Sequence, residues 1–262
     1  MSTTEFTKTY EFIKTAEADN VARIVLDRPP LNVLNMAMME ELNQVLEGIS
    51  RRRDLKVLVL SAEGKAFSAG VAVEDHLGEN AKSMLATFHQ IFRYLHSLPC
   101  ATIAVVQGMA LGGGAELATF FDVVIASEAA KLGQPEIKVG VFPPIAALHY
   151  PGRVGEARTL QLLLSGDILS ATEAERIGLV DRLVKAEELA DALEQEIGKF
   201  TDKSGVVLGL TRRAVKQASL PNFERALAEL EDLYHDELML TADANEGLRA
   251  FVEKRPPVWK NR

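Results

Sequence analysis

Two short apolar runs in the first half of the chain constrain its fold more than any other feature. Lys56–Ser61 reads KVLVLS and Ala101–Val106 reads ATIAVV, and a shorter run follows at Val123–Ala126. Runs of this length are shorter than most helices and are typical of strands that are covered on both faces, as in parallel sheets. The sequence therefore predicts an α/β fold around a buried sheet.

Helical patterns separate these strands. Apolar residues recur at intervals of three and four in Met36–Ile49 and in Met84–Leu98, which ends at Pro99, and a shorter helix is predicted at Glu116–Phe121. Before them, Phe12–Ile13 and Val21–Leu26 flank a polar turn at residues 17–20, which favours a hairpin.

The last third of the sequence is predicted to be mainly helical. The helical pattern begins at Ala171, with breaks near Gly178 and at Gly205–Gly209, and Phe223–Val252 is strongly helical and acidic. We predict an α/β core over residues 1–200 and a helical C-terminal region over residues 201–262. Such a region can serve as a lid or as an oligomerisation arm.

Composition narrows the class of protein. The chain has 262 residues, of which 47% are hydrophobic, and this suits one large domain. Its formal net charge of −8 argues against partners such as nucleic acid or an anionic membrane. A single cysteine, with no leader-like or membrane-spanning segment in the sequence, indicates a cytoplasmic protein.

Two glycine loops follow directly after predicted strands. They are Lys65–Val71 and Ala110–Glu116. Ligands of α/β proteins bind at the carboxyl ends of strands, where glycine allows close approach to backbone N–H groups. Either loop could equally be a tight turn without a ligand. Neither matches a phosphate loop or a dinucleotide-binding turn.

Two carboxylates accompany the second loop. Glu116 stands at the start of a predicted helix, and Glu136 follows twenty residues later, after another strand. Paired carboxylates in one pocket can divide the roles of acid and base. Alternatively, Glu116 only complements its helix dipole, and Glu136 is a surface acid beside Pro135.

Several motifs in order along the chain resemble the enoyl-CoA hydratase/isomerase (crotonase) superfamily. They cover most of the sequence and are, in order, FSAGV (Phe67–Val71), ALGGGAELA (Ala110–Ala118), GQPEIKVG (Gly133–Gly140), SGDILSATEAERIGLV (Ser165–Val180) and FVEKR (Phe251–Arg255). The resemblance implies a crotonase-like spiral of ββα units with a C-terminal helical oligomerisation region. It also implies a homotrimer or a dimer of trimers.

The resemblance also implies a reaction. Family hydratases add water to an α,β-unsaturated acyl-CoA; coenzyme A is part of the substrate, and no metal or other cofactor is expected. The backbone N–H groups of Val71 and Gly113 would form the oxyanion hole. Glu136 would protonate the α-carbon, and Glu116 would orient and deprotonate the water.

Three further positions are implied to bind coenzyme A. Ala69 would lie near the adenine. Phe251 and Lys254 match tail residues that reach the coenzyme of a neighbouring subunit in relatives.

Departures from the family pattern make the prediction of the substrate more specific. VFPPIAA (Val141–Ala147) replaces a glycine-rich turn, and VAVEDH (Val71–His76) replaces a common Ala-Asp. With the C-terminal segment, these features look closest to cyclohexa-1,5-diene-1-carbonyl-CoA hydratases of anaerobic benzoyl-CoA degradation. Open alternatives are a short-chain enoyl-CoA hydratase, an isomerase, decarboxylase or hydrolase of the same fold, and a non-catalytic acyl-CoA-binding subunit.

The histidines add little to these expectations. His76 is interpreted as a surface residue in preference to a residue of the active-site rim. The other four lack the spacing of metal ligands, and they are His89, His96, His149 and His235.

Overall fold

Strands in two sheets form the centre of the computed structural model, which describes residues 8–76 and 80–262. Residues 1–7, on which part of the expectation about a leader rests, lie outside this range. The larger sheet has the strand order β1-β2-β3-β4-β6-β8-β11, and the smaller has the order β10-β9-β7-β5. The strands are β1 (Lys8–Thr9), β2 (Ile13–Ala18), β3 (Val21–Leu26), β4 (Val57–Ala62), β5 (Ala66–Ser68), β6 (Ala101–Val106), β7 (Met109–Leu111), β8 (Val123–Ser127), β9 (Lys131–Gly133), β10 (Ile168–Ser170) and β11 (Arg182–Val184).

Helices follow or cover these strands. They are α1 (Met36–Ser50), α2 (Asn80–Ser97), α3 (Gly113–Thr119), α4 (Pro144–Val154), α5 (Glu156–Ser165), α6 (Ala171–Ile177), α7 (Leu189–Thr201), α8 (Gly205–Ser219), α9 (Phe223–Asp232) and α10 (Ala242–Val252). None of the helices in the described ranges has both the length and the apolar character that crossing a bilayer requires.

The predicted hairpin is present, with a tighter turn than expected. β2 and β3 pair antiparallel along their whole lengths. Only Asp19 and Asn20 separate them, and both have positive φ angles, 52° and 65°. Asp and Asn tolerate this backbone region better than most residues, so a two-residue turn can join the strands.

The rest of the two sheets repeats one unit. In β4–β5–α2, in β6–β7–α3 and in β8–β9–α4, the first strand joins the larger sheet and the second joins the smaller sheet. Neighbouring strands of successive units pair in parallel. This is the ββα repeat that the family resemblance implies. Because the second strands are parallel neighbours, the loops that follow them emerge at one edge.

The central strands of the larger sheet, β4 and β6, are buried on both faces over most of their length. On β4, Leu58 and Leu60 belong to the main core, whereas Val57 and Val59 pack in a second cluster with residues of α7. The predicted strands at residues 56–61, 101–106 and 123–126 are confirmed to within one residue at each end. Continuous apolar runs identified these strands because alternate residues enter two different cores.

Six short strands among the described residues were not predicted, namely β1, β5, β7, β9, β10 and β11. Of these, β5 lies within the glycine loop expected at Lys65–Val71, and β7 overlaps the one expected at Ala110–Glu116. The sequence indicates only helix after Ala171, but β11 (Arg182–Val184) adds to the larger sheet in parallel with β8. β9 and β10 form an antiparallel pair in the smaller sheet. Each of the six has only two or three residues, which is too short for a periodic pattern.

The predicted break at Gly205–Gly209 is wrong, because both glycines lie in α8. A Cβ atom on Gly209 would stand 2.5 Å from the carbonyl oxygen of Pro99. Glycine therefore lets α8 approach the entrance to β6 closely. The break lies just before the helix, at residues 202–204.

The long helix predicted over Phe223–Val252 is interrupted. A π-helical turn at Leu233–Glu237 and a 3₁₀ turn at Leu238–Leu240 separate α9 from α10. Thr241 then caps α10, since its side chain accepts a hydrogen bond from the N–H of Ala244. The apolar periodicity persists through the interruption, so the sequence pattern alone does not reveal it.

A buried arginine joins α8 to the end of α2. Arg212 Nε donates to Asp122 Oδ2 at 2.7 Å, and its two terminal nitrogens donate to the carbonyl oxygens of Leu95, His96 and Leu98. The last carbonyls of a helix have no partner within it. Arg212 satisfies them here and fixes the helix that precedes β6.

Arg212→Met should lower the free energy of unfolding by about 3 kcal/mol, because it removes the donor of three carbonyls and leaves Asp122 with only Lys216 and the N–H of Thr102 as partners. Arg213→Met, at an exposed position of the same helix, should be close to neutral. Denaturant titration of both variants measures the difference. If Arg212→Met lost no more free energy of unfolding than Arg213→Met, the Arg212 network would not contribute to stability.

Candidate active site

A cavity of about 410 Å³ lies where the loops of the repeated units meet α2 and α10. Both glutamates of the predicted pair line it. Most of the remaining wall is apolar, and it includes Met84, Leu85, Phe88, Val141, Phe142 and Leu248. The structure therefore brings Glu116 and Glu136 together in a mainly apolar pocket, where charge is strongly disfavoured unless it is stabilised.

The loop after β5 is held by backbone hydrogen bonds to the segment before α1, including a β-bridge between Leu34 and Val71. Leu34 N–H donates to the carbonyl of Gly70 at 2.9 Å, and Ala72 N–H donates to the carbonyl of Leu34 at 3.0 Å. In this parallel arrangement the N–H of Val71 is turned away from Leu34. Val71 itself lines the cavity.

The loop after β7 lies directly beside it. A Cβ atom on Gly70 would stand 3.6 Å from the backbone nitrogen of Gly113. Gly113 is the first residue of α3, where N–H groups have no acceptor within the helix. The two backbone donors expected from the sequence, at Val71 and Gly113, thus stand in adjacent loops at the cavity wall.

Glu116 is held by the N-terminus of another helix. Its side chain is 2% exposed, and Oε1 accepts a hydrogen bond of 2.7 Å from the N–H of Ala146, with a further contribution from the N–H of Ile145. Both donors lie in the first turn of α4, which begins at Pro144. Burial raises the pKa of Glu116 to about 7, and the two N–H groups oppose this rise.

Glu136 lies in the 3₁₀ turn Pro135–Val139 that follows β9. Burial, and then the charge of Glu116, raise its pKa well above the usual range. Two adjacent carboxyls titrate as a pair, and the one with more donors ionises first. We therefore assign the proton at neutral pH to Glu136 and the negative charge to Glu116.

Gln134 orients the Glu136 carboxyl. Assigned from its surroundings, the Gln134 amide oxygen accepts from the Tyr150 hydroxyl at 2.8 Å, and its nitrogen lies 3.2 Å from each Glu136 oxygen. Gln134 and Tyr150 are both buried. Sequence analysis missed this pair, although Gln134 lies two residues before Glu136 in the GQPE motif.

Gly112 can be replaced by no other residue without disturbing Glu136. Its φ is +52°, and a Cβ atom there would stand 2.6 Å from Glu136 Oε1. The glycine loop therefore does more than turn the chain, because it leaves the space that the second carboxylate occupies.

Of the three residues predicted to bind coenzyme A, two line the cavity and one does not. Ala69 and Phe251 line the cavity, and Phe251 is 54% exposed at the end of α10. Lys254 is exposed beyond that helix and does not line the cavity. Of the VFPPIAA segment, the first four residues, Val141 to Pro144, line the cavity, whereas Ile145 is fully buried behind them.

The interpretation of His76 as a surface residue is wrong. It is half-buried and lines the cavity, and its Nδ1 atom lies 3.1 Å from the carbonyl oxygen of Ala72. Burial lowers its pKa. Within residues 8–76 and 80–262, no three His, Cys, Asp or Glu side chains are grouped as metal ligands.

Comparison with known proteins decides the family. The family model described as "Enoyl-CoA hydratase/isomerase" matches residues 16–262. The chain belongs to the enoyl-CoA hydratase/isomerase family. This confirms the resemblance that the motifs indicate.

Two curated relatives in this family cover nearly the whole chain. A cyclohexa-1,5-dienecarbonyl-CoA hydratase of Thauera aromatica is 36% identical over 245 residues, covering 93% of this chain and 94% of the relative. A crotonyl-CoA hydratase of Syntrophomonas wolfei subsp. wolfei is 32% identical over 252 residues, covering 94% and 96%. The expectation of an enzyme of the enoyl-CoA hydratase type is confirmed.

Solved structures confirm the fold. An enoyl-CoA hydratase from Mycobacterium avium subsp. paratuberculosis K-10 superposes with a TM-score of 0.86 at 27% identity, covering 97% of this chain and 100% of that one. The crotonase-like α/β fold with a helical C-terminal region is therefore the fold of this enoyl-CoA hydratase/isomerase family member.

The raised pKa of Glu116 predicts a pH-dependent stability. The unfolded carboxyl ionises near pH 4.5 and the folded one near 7. Between these values the unfolded chain releases the proton first, so the contribution of Glu116 to stability falls by about 3 kcal/mol as pH rises from 4.5 to 7. The raised pKa of Glu136 adds a fall of the same sign. Glu116→Gln removes this contribution and should gain stability over wild type across the same window.

Denaturant titrations at pH 5, 6, 7 and 8 measure this difference. Glu128→Gln is the matched control, because Glu128 is exposed on the same chain and should retain the wild-type pH dependence. Glu136 leaves part of this dependence in Glu116→Gln. If the variant retained the full wild-type dependence, the Glu116 carboxyl would not be perturbed as described.

Proposed function

We propose that this chain hydrates an α,β-unsaturated acyl-CoA, and that its preferred substrate is the cyclic thioester cyclohexa-1,5-diene-1-carbonyl-CoA. The observation that carries the proposal is the carboxyl pair, with Glu116 ionisable near neutral pH and Glu136 still protonated, facing one cavity beside two backbone donors. An acid, a base and an oxyanion site are the parts that hydration of a conjugated thioester requires.

The backbone donors act on the thioester carbonyl. The N–H groups of Val71 and Gly113 bind its oxygen, where negative charge develops as water attacks the β-carbon. Their loops are fixed by the Leu34 bridge and by the start of α3. Donors that are already fixed need no reorganisation during the reaction, which is why such sites stabilise an enolate effectively.

The two carboxyls then move the protons. Ionised Glu116 takes a proton from water as its oxygen bonds to the β-carbon, and the electron pair of the double bond shifts towards the thioester oxygen. Protonated Glu136 then gives its proton to the α-carbon, and the carbonyl re-forms. One proton is gained at Glu116 and one is lost at Glu136, so transfer between them restores the starting state.

The coenzyme is bound at the mouth of the cavity in this proposal. Ala69 lies beside the adenine, and Phe251 and Lys254 contact the coenzyme of a neighbouring subunit in a homotrimer or dimer of trimers. Coenzyme A enters as part of the substrate, and the proposed steps use only groups of the chain. We place the enzyme in the cytoplasm, since its single cysteine suits a reducing compartment.

Three features support a cyclic acyl group. The cavity wall is aromatic on two sides, at Phe88 and Phe142, and is stiffened by Pro143 and Pro144. A flat apolar ring suits such a wall. The Thauera aromatica relative, which is named a cyclohexa-1,5-dienecarbonyl-CoA hydratase, is similar to this chain over nearly its whole length. Hydration of a linear enoyl-CoA is the alternative, supported by the crotonyl-CoA hydratase relative.

Glu136→Gln should lower the kcat of hydration by roughly 100- to 10,000-fold, because the amide has no acidic proton to deliver. Binding of the acyl-CoA should change little, since the amide has nearly the same volume. Steady-state kinetics measure the change in kcat, and isothermal titration calorimetry measures the binding of the acyl-CoA. Glu74→Gln, an exposed position beside the cavity, is the control and should remain active. Full activity of Glu136→Gln would exclude this mechanism.

The substrate is tested by a mass-resolved product assay with crotonyl-CoA and cyclohexa-1,5-diene-1-carbonyl-CoA offered together. We expect a gain of one water mainly on the cyclic diene, with the thioester intact. A gain mainly on the crotonyl thioester would exclude the cyclic preference. A product of unchanged mass would show isomerisation instead of hydration. Release of free coenzyme A would show hydrolysis of the thioester.

A further inference from the structure

The hydroxyl of Tyr234 is buried at the cavity without a hydrogen-bond partner. Tyr234 is 1% exposed and lines the cavity that holds the two glutamates. Its Oη atom has no donor or acceptor within hydrogen-bond distance in the described part of the chain. It lies in the π-helical turn Leu233–Glu237, a local geometry that occurs often at functional sites.

Packing does not account for this hydroxyl. The Tyr234 ring makes an edge-to-face contact with Phe142, with ring centroids 5.4 Å apart. Phenylalanine would make the same contact. Leaving a buried hydroxyl unpaired destabilises a protein, so the oxygen atom is explained better by a partner that arrives with the ligand.

The hydroxyl is a neutral donor close to the carboxyl pair. Burial raises the pKa of Tyr234, and the charges of Glu136 and Glu116 raise it further. The phenol therefore keeps its proton at neutral pH and can donate it in a hydrogen bond.

The wall that follows Glu136 has few N–H groups left to donate to a ligand. Pro143 and Pro144 have none. The N–H of Val141 donates to the carbonyl of Glu136 at 3.2 Å. The N–H groups of Ile145 and Ala146 are taken by Glu116. A polar atom held between the glutamates therefore gains from a donor on another wall, and Tyr234 stands on one.

We propose that the Tyr234 hydroxyl donates a hydrogen bond to the oxygen of the reacting water, and to the same oxygen as the hydroxyl of the product. This inference rests on the proposed hydratase function. The water gives one proton to Glu116 and uses one lone pair to attack the β-carbon, which leaves its second lone pair to accept from Tyr234. As Glu116 removes the proton, the oxygen gains negative charge and accepts this bond more strongly.

Tyr234→Phe is the sharpest test, because it removes only the oxygen atom. We expect kcat/KM for hydration to fall about 10- to 100-fold, the range for a hydrogen bond to an atom that gains charge. The inhibition constants of saturated thioesters, butanoyl-CoA and cyclohexane-1-carbonyl-CoA, should stay within about twofold, since these ligands lack the added oxygen. The unfolding midpoint should be unchanged or higher, because an unpaired hydroxyl is lost.

Tyr94→Phe is the matched control, since Tyr94 is half-buried on α2 and does not line the cavity. It should retain wild-type kinetics. If both variants lost activity equally, or if Tyr234→Phe weakened the saturated inhibitors as much as it lowered kcat/KM, Tyr234 would have only a packing role. Full activity of Tyr234→Phe would also overturn the inference while leaving the hydratase proposal intact. A wild-type protein that hydrates neither enoyl thioester would overturn both.

Discussion

The contact between the first turn of α4 and the Glu116 carboxylate governs the chemistry of this molecule. Two backbone N–H groups at a helix N-terminus can stabilise a negative charge in a site that would otherwise exclude it. Glu136 stands close to Glu116 without these donors, so it retains its proton. One helix terminus thus makes two similar side chains chemically different. Pro143 and Pro144 contribute to this stabilisation of Glu116, because they set where α4 begins.

The ββα repeat explains why these groups can meet. Each unit sends its first strand into the larger sheet and its second into the smaller sheet, so loops distant in sequence arrive at one edge. The loops after β5, β7 and β9 bring, in turn, Val71, Gly113 and Glu136 to the cavity. Site geometry is therefore a property of the strand pairing and not of any single loop.

The sequence predicts the parts of this structure that have strong local signals. Continuous apolar runs identified β4, β6 and β8, and the motifs identified both glutamates. Three-residue strands such as β11 have no period to detect, and the π turn at Leu233–Glu237 leaves the helical pattern intact. Tyr234 was missed for that reason. Gln134 and the donors of α4 were missed because their roles depend on which groups meet in space.

The bridge between Leu34 and Val71 bears on how the enzyme matures. It ties the cavity to a segment near the start of the chain, while Phe251 closes the opposite side from near its end. During synthesis, both glutamates emerge long before the last wall of their pocket exists. A chain cut short before α10 would carry every proton-transfer group and yet lack the part of the cavity wall that Leu248 and Phe251 form.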